Sequence, residues 1–169
     1  IGRNVAEPVV DMLFPPGSQS RIPIFAITGT NGKTTTTRLI AHILRNSGRS
    51  VGFTTTDGTY IGNEQIVQGD NTGPVSAQLV LKDPTVDVAV LETARGGIIR
   101  SGLGFDHADV GVVLNVAADH LGLKDVNTLE DLARVKSVVP RAVSKDGWAV
   151  LNAEDELVYR MKELVDGRV

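Results

Sequence analysis

A lysine and a threonine that follow a glycine-rich turn can do phosphate chemistry, and residues 28–35 read Thr-Gly-Thr-Asn-Gly-Lys-Thr-Thr. Gly29 and Gly32 allow a tight curl in which backbone N–H groups point inward at one anion. A helix opening at this point adds its unpaired N–H groups and the positive end of its dipole. Lys33 can reach terminal phosphates and the Thr34 hydroxyl can ligate Mg²⁺. Thr28, Gly29, Thr30, Asn31, Gly32, Lys33, Thr34 and Thr35 are therefore the candidate contacts to a nucleoside triphosphate. The spacing departs from the usual phosphate-loop pattern, which would put glycine where Ile27 stands. A chance Gly-Lys-Thr in a turn is the bland alternative; the apolar run before it and the amphipathic run after it argue against that.

Other chemistry-bearing residues are sparser. Glu92 ends an apolar run and could hold the same Mg²⁺ as Thr34; a capping or salt-bridged glutamate is the equal alternative. His120 follows Asn115-Val-Ala-Ala-Asp119, where a metal or phosphate contact competes with a structural role. Lys136 on its own reads as a solvated helix lysine. Arg95 and Arg100 flank Gly96-Gly97 and either face an anionic substrate or lie on the surface. Asp70, Thr72 and Pro74 form a polar loop that lines a pocket or merely turns. His42 and His107 carry no functional reading.

The elements that must position these residues alternate. Strands are expected over Ile22–Thr28, Ser50–Thr55, Val86–Leu91, Val110–Leu114 and Trp148–Leu151, with a small hairpin turning at Gly62-Asn63. Helices are expected over Asn4–Phe14, Thr34–Asn46, Val75–Leu81, Thr128–Val139 and Asp155–Leu164. Thr128 and Asp131 form a capping box. Residues 1–20 read as a lead-in helix and linker, and residues 21–169 as the domain. The pattern predicts an α/β fold, a mostly parallel sheet with helices on both faces. Ligands of such sheets sit at the C-terminal ends of the strands. The glycine loop, Glu92 and the Asn115–His120 segment all follow strands, so they should share that edge.

At 169 residues, 41% hydrophobic and 22% charged, the chain has the composition of an ordinary globular domain. A net charge of −3 without a basic cluster gives no support for nucleic-acid binding. The absence of cysteine removes disulfides and thiol chemistry. No apolar run approaches membrane-spanning length and no signal-peptide pattern opens the chain, so a cytoplasmic location is the expectation. The start at Ile1 leads us to expect a piece of something longer.

Taken together, T-G-T-N-G-K-T, the strand-ending Glu92, N-V-A-A-D-H-L-G and Lys136 one helix later resemble the Mur ligase family, specifically its central ATP-binding domain. Gly2–Ala6 with Met12–Pro15, Thr54–Gly58, Gly69–Pro74 and Leu91–Gly97 are similar to one subgroup, in which a Mur-ligase-like module follows an ATP-grasp module. The resemblance implies transfer of the ATP γ-phosphoryl group to a carboxylate, then attack by an amine on the acyl phosphate. For the subgroup it implies joining arginine's α-amine to the aspartate β-carboxyl of a polymer. It also implies roles. Lys33 and the loop hold phosphates, and Thr34 and Glu92 hold one Mg²⁺. His120 helps hold a second, and Lys136 is carbamylated to supply an anionic oxygen ligand. Asp70, Thr72, Arg95 and Arg100 are weaker substrate candidates. Asn152-Ala153-Glu154-Asp155 departs conservatively from the family's N-A-D-D. Because the sequence stops at Val169, the rest of the central domain and an amino-acid-bringing C-terminal domain are expected as missing partners, with a homo-oligomer left open. A peptidoglycan-precursor or folyl-polyglutamate ligase is the alternative within the family, disfavoured by E-T-A-R-G-G. Outside it stand a P-loop ATPase or nucleotide switch and a degenerate assembly module. Intact Lys33, Thr34, Glu92 and His120 argue against the last.

Overall fold

The computed structural model describes residues 6–13, 15, 21–118, 122 and 126–169. Seven strands form one sheet in the order β4-β3-β2-β5-β1-β6-β7. They are β1 (Ile24–Thr28), β2 (Val51–Thr55), β3 (Gly58–Ile61), β4 (Glu64–Gln68), β5 (Val88–Glu92), β6 (Ala108–Val113) and β7 (Val143–Leu151). The five strands β2, β5, β1, β6 and β7 run parallel, and β3 and β4 add an antiparallel ribbon at one edge. The expected mostly parallel sheet is observed.

Alternation along the central strands divides the core. Ile27, Val51, Phe53, Val88, Val90 and Val112 face one side and pack against Ala41 of α2 (Lys33–Asn46). Ile24, Ala26, Ala89 and Leu91 face the other side, against α3 (Pro74–Lys82), α4 (Arg95–Ser101) and α6 (Val138–Arg141) through Val80, Ile98 and Val139. A third cluster, including Val116, Leu132 and Val158, sits under α5 (Leu129–Lys136) and α7 (Glu156–Tyr159).

This topology creates a crevice. The connection after β1 crosses one face through α2, while that after the neighbouring β5 crosses the other through α4. Connections that part to opposite faces leave a cleft outside the C-terminal ends of their strands. The glycine loop and Glu92 lie there.

Three expected elements differ and one helix is additional. The helix expected over Thr128–Val139 opens on the predicted capping box but breaks after Lys136. Pro140 has no N–H to offer the Lys136 carbonyl four residues earlier, so the ladder cannot continue unbroken. The final helix shortens to α7 and continues as a 3₁₀ turn over Arg160–Leu164. The last strand begins five residues earlier than Trp148, at Val143. The helix α4 was not expected, because Gly96 and Gly97 each weaken a helix. Gly97 is there for contact: a Cβ on it would sit 2.9 Å from the Thr72 carbonyl oxygen. The lead-in α1 (Ala6–Leu13) is exposed along its whole length, and residues 4, 5 and 14 of the expected helix lie outside the described residues.

Candidate functional site

The glycine loop is built by close approach. Gly29 has φ +154° and a Cβ there would meet Leu114 Cβ at 2.9 Å; Gly32 has φ +82°, the left-handed conformation that favours glycine. Thr28 closes β1, and its buried hydroxyl donates to the Thr93 carbonyl at 2.9 Å. Thr93 N–H donates back to the Ile27 carbonyl at 2.8 Å, so the segments after β1 and β5 are sewn together. The Thr28 side chain is thus committed to the scaffold rather than to a ligand.

Sequence reasoning missed what fixes the loop from the other side. Asn115, just after β6, accepts through Oδ1 from Thr30 N–H (3.0 Å) and Asn31 N–H (2.9 Å), and its Nδ2 donates to the Asn31 carbonyl (3.2 Å). Thr30 Oγ1 adds bonds to the Ala117 carbonyl and N–H. The expectation that successive loop amides all face one anion is corrected here, since Thr30 and Asn31 spend theirs on Asn115. The N–H groups of the first turn of α2 remain, around Lys33, Thr34 and Thr35, where no carbonyl of the helix precedes them. Asn115 is held in turn. Asn152 Nδ2 donates to the Leu114 carbonyl at 3.0 Å, and Val116 N–H donates to Asp155 Oδ2 at 2.7 Å. The Asn152–Asp155 stretch, to which the sequence assigned no role, therefore braces the segment that braces the loop.

Lys33 sits at the mouth of the loop, its Nζ donating to the Thr30 carbonyl at 2.9 Å. Thr34 Oγ1 donates to Glu92 Oε2 at 2.8 Å and lies 3.2 Å from Thr56 Oγ1. Glu92 is 2% exposed, and its Oε1 is buried with no hydrogen-bond partner among the described residues. Burial holds the Glu92 carboxyl above the usual range, against the opposing pull of the Thr34 hydroxyl and the Lys33 charge. These features test the fit of a cation. A hydroxyl beside a buried carboxylate with one unsatisfied oxygen is the oxygen-only donor set that suits Mg²⁺. No group of three or more His, Cys or acidic side chains converges among the described residues, so the remaining ligands would be phosphate oxygens and water.

Beside this pair lies a cleft of about 290 Å³ whose lining includes Gly29, Lys33, Asp70, Arg95, Gly96 and Lys136. Lys136 is 3% exposed, so the reading of a solvated helix lysine is corrected. The break after α5 leaves it as that helix's last residue, turned into the cleft. The two arginines separate. Arg95 opens α4 and lines the cleft, whereas Arg100 is exposed, outside the lining, and donates to its own helix at the Gly96 carbonyl (3.1 Å). Asp70 lines the cleft, with Oδ1 accepting from Thr72 N–H (3.2 Å) and Thr72 Oγ1 (2.7 Å). Thr72 is buried in that turn. Thr35 is exposed on the first turn of α2. His120 lies outside the described residues.

Comparison with known proteins agrees with this geometry. Residues 27–168 match the family described as the Mur ligase middle domain. Cyanophycin synthetase of Crocosphaera subtropica is 68% identical over 169 residues, all of this chain and 19% of that protein. The protein of the same name from Geminocystis herdmanii is 64% identical over 99% of this chain and 19% of its own length. The chain thus spans about a fifth of these relatives. Among solved structures, UDP-N-acetylmuramoyl-L-alanyl-D-glutamate–2,6-diaminopimelate ligase superposes with a TM-score of 0.70 at 24% identity, over 96% of this chain and 33% of that one.

Proposed function

The chain belongs to the Mur ligase middle-domain family, and from that premise we propose that it is the nucleotide-binding part of an ATP-dependent amide ligase, a cyanophycin synthetase. The observation that carries this reading is the Thr34–Glu92 pair beside Lys33, at the mouth of a cleft lined by Arg95 and Lys136. Phosphoryl transfer asks mainly for positioning and charge neutralisation. On this reading the first-turn amides of α2 and Lys33 hold the β- and γ-phosphates. Thr34 and Glu92 hold Mg²⁺, which when bound neutralises charge on the transferring phosphoryl group. Arg95 and Asp70 face the second substrate from across the cleft.

The reaction joins an aspartate β-carboxylate of a polymer to the α-amine of arginine. The carboxylate oxygen attacks the γ-phosphorus and ADP leaves. The amine then attacks the acyl carbon, phosphate departs and the amine's proton is lost. Carbamylation of buried Lys136 would turn a cation in the cleft into an anionic oxygen ligand, and together with His120 it would serve a second Mg²⁺. The segments beyond this chain, an ATP-grasp module and an amino-acid-bringing domain, complete the enzyme in this reading. The reaction belongs to the cytoplasm, where ATP and arginine are at hand.

The test is ADP release by the full-length protein given ATP, Mg²⁺, an aspartate-containing primer and arginine, each omitted in turn. Turnover that needs primer and arginine and disappears in Lys33→Ala is the expected result. Turnover indifferent to both would leave a P-loop ATPase instead.

A further inference from the structure

Two glycines follow one another in α4, and their surroundings differ. A Cβ on Gly96 would meet nothing within 4 Å, whereas one on Gly97 would lie 2.9 Å from the Thr72 carbonyl oxygen and 3.0 Å from Gly73 Cα. Both of these neighbours are backbone, so no side chain can swing aside to make room. Glycine weakens a helix relative to alanine, and at Gly97 that cost goes with the close approach of a loop. The loop Asp70–Pro74 lies against α4 there, and Ala94 N–H donates to the Thr72 carbonyl at 3.4 Å. Gly104 repeats the contact at the end of the loop: it has φ +82°, and a Cβ there would meet the Pro74 carbonyl oxygen at 2.7 Å.

The rest of the loop is fixed from the sheet and from α3. Asn71 N–H donates to the Thr55 carbonyl (3.1 Å), and Asn71 Oδ1 accepts from the buried Ser76 hydroxyl (2.8 Å). Thr72 is the pivot. Its carbonyl lies on α4, while its N–H (3.2 Å) and its hydroxyl (2.7 Å) both donate to Asp70 Oδ1. The Thr72 hydroxyl is therefore spent on Asp70 and not on a ligand. Asp70 Oδ2 has no hydrogen-bond partner among the described residues, and Asp70 lines the cleft together with Arg95 and Lys136. The placement of this carboxylate thus traces, through Thr72, to the missing side chain of residue 97.

We propose that Gly97 and Thr72 are positioning residues for the acceptor side of the cleft: the bare surface of α4 at Gly97 seats the Thr72–Gly73 backbone, and Thr72 holds Asp70 so that its free oxygen meets an N–H donor of the carboxylate-bearing substrate. The inference rests on the ligase reading above. Among the described residues, neither Gly97 nor Thr72 has a hydrogen bond to the glycine loop or to Glu92, so nucleotide binding does not depend on them.

The test is steady-state ADP release by the full-length protein against primer concentration, at saturating ATP, Mg²⁺ and arginine, with calorimetry of Mg²⁺–ADP binding. Only turnover and binding that disappear in Lys33→Ala are counted. Gly97→Ala should raise KM for primer about tenfold, with kcat changed less than about threefold and Mg²⁺–ADP affinity less than about twofold, the pattern of lost acceptor binding. Thr72→Val keeps the shape and removes the hydroxyl. It should raise the same KM about three- to tenfold, as expected for one lost hydrogen bond, and Thr72→Ser should restore it. Gly96→Ala should melt no lower than wild type and Gly97→Ala lower, since only the second sets a methyl against backbone. Should Gly97→Ala not fold, Thr72→Val decides from the loop side. Unchanged primer KM in Thr72→Val or in folded Gly97→Ala, or an equal loss of Mg²⁺–ADP affinity, would overturn the positioning role alone. A wild-type protein without Lys33-dependent turnover that needs primer and arginine would overturn the ligase reading itself.

Discussion

The two ends of the strands offer opposite kinds of surface. At the N-terminal ends lies the more spacious recess, about 590 Å³, lined by residues such as Arg21, Phe25, Leu44, Arg49, Val86 and Asp87. At the C-terminal ends the cleft beside the glycine loop is only about 290 Å³. Yet the buried polar side chains gather at the second end: Thr28, Thr54, Thr55, Thr72, Glu92, Thr93 and Lys136. Burying such groups costs free energy unless something repays it. Most are repaid by hydrogen bonds that fix the loops, and Glu92 Oε1 has no partner among the described residues, which is why we propose it as a ligand to the cation. On the proposed reading the site lies in the smaller cleft, where polar groups converge, and not in the larger recess.

The contrast makes graded demands. Lys33→Ala should have the largest effect, weakening Mg²⁺–nucleotide binding by on the order of 100-fold, the worth of a charge-assisted contact of about 2–3 kcal/mol. Isothermal titration calorimetry would measure it.

Glu92→Gln should come next. Mg²⁺ would then tighten nucleotide binding little or not at all, a loss of about tenfold. The same variant should melt higher than wild type in chelator at neutral pH, because it removes a buried charge. The sign with pH follows from the raised Glu92 pKa. The folded protein holds that proton more tightly than the unfolded chain, so Glu92's contribution to stability in chelator falls as pH rises from the unfolded to the folded value. Cation binding must displace the same proton, so Mg²⁺ affinity falls as pH drops through that window. Glu92→Gln should flatten both dependences.

Asn115→Ala should cost about 1–3 kcal/mol of stability, by leaving the Asn31 N–H without its acceptor and its carbonyl without the Nδ2 donor, while Thr30 N–H keeps the Asn115 main-chain carbonyl. Thermal melts would show this, with nucleotide affinity falling about tenfold as the loop loosens. Arg49→Ala, in the larger recess, should change nucleotide affinity less than twofold. A larger effect there would erase the distinction between the two ends.

Much of the cleft could be read from the chain alone. Thr-Gly-Thr-Asn-Gly-Lys-Thr announced its chemistry because few residue types fit a curled backbone before a helix, and Glu92 announced its edge by ending an apolar run. The parallel sheet followed from alternation of strands and helices. What stayed hidden depended on partners distant in sequence. Asn115 reads as an ordinary loop asparagine until β6 lies beside β1 and brings it to Thr30, 85 residues away. Lys136 looks solvated until the break at Pro140 and the packing of α5 bury it. The α4 helix defied propensity because Gly97 serves a contact with Thr72 that only the tertiary structure supplies.

The most direct measurement is hydrogen exchange of the full-length protein with and without ADP and Mg²⁺, resolved by peptide. Protection should appear at the glycine loop and first turn of α2, at residues 54–58, at 92–97 and at 113–118, and should be absent from 21–25 and 84–88. Protection confined to the strands' N-terminal ends, or none at the glycine loop, would contradict the assignment of the C-terminal edge as the nucleotide site.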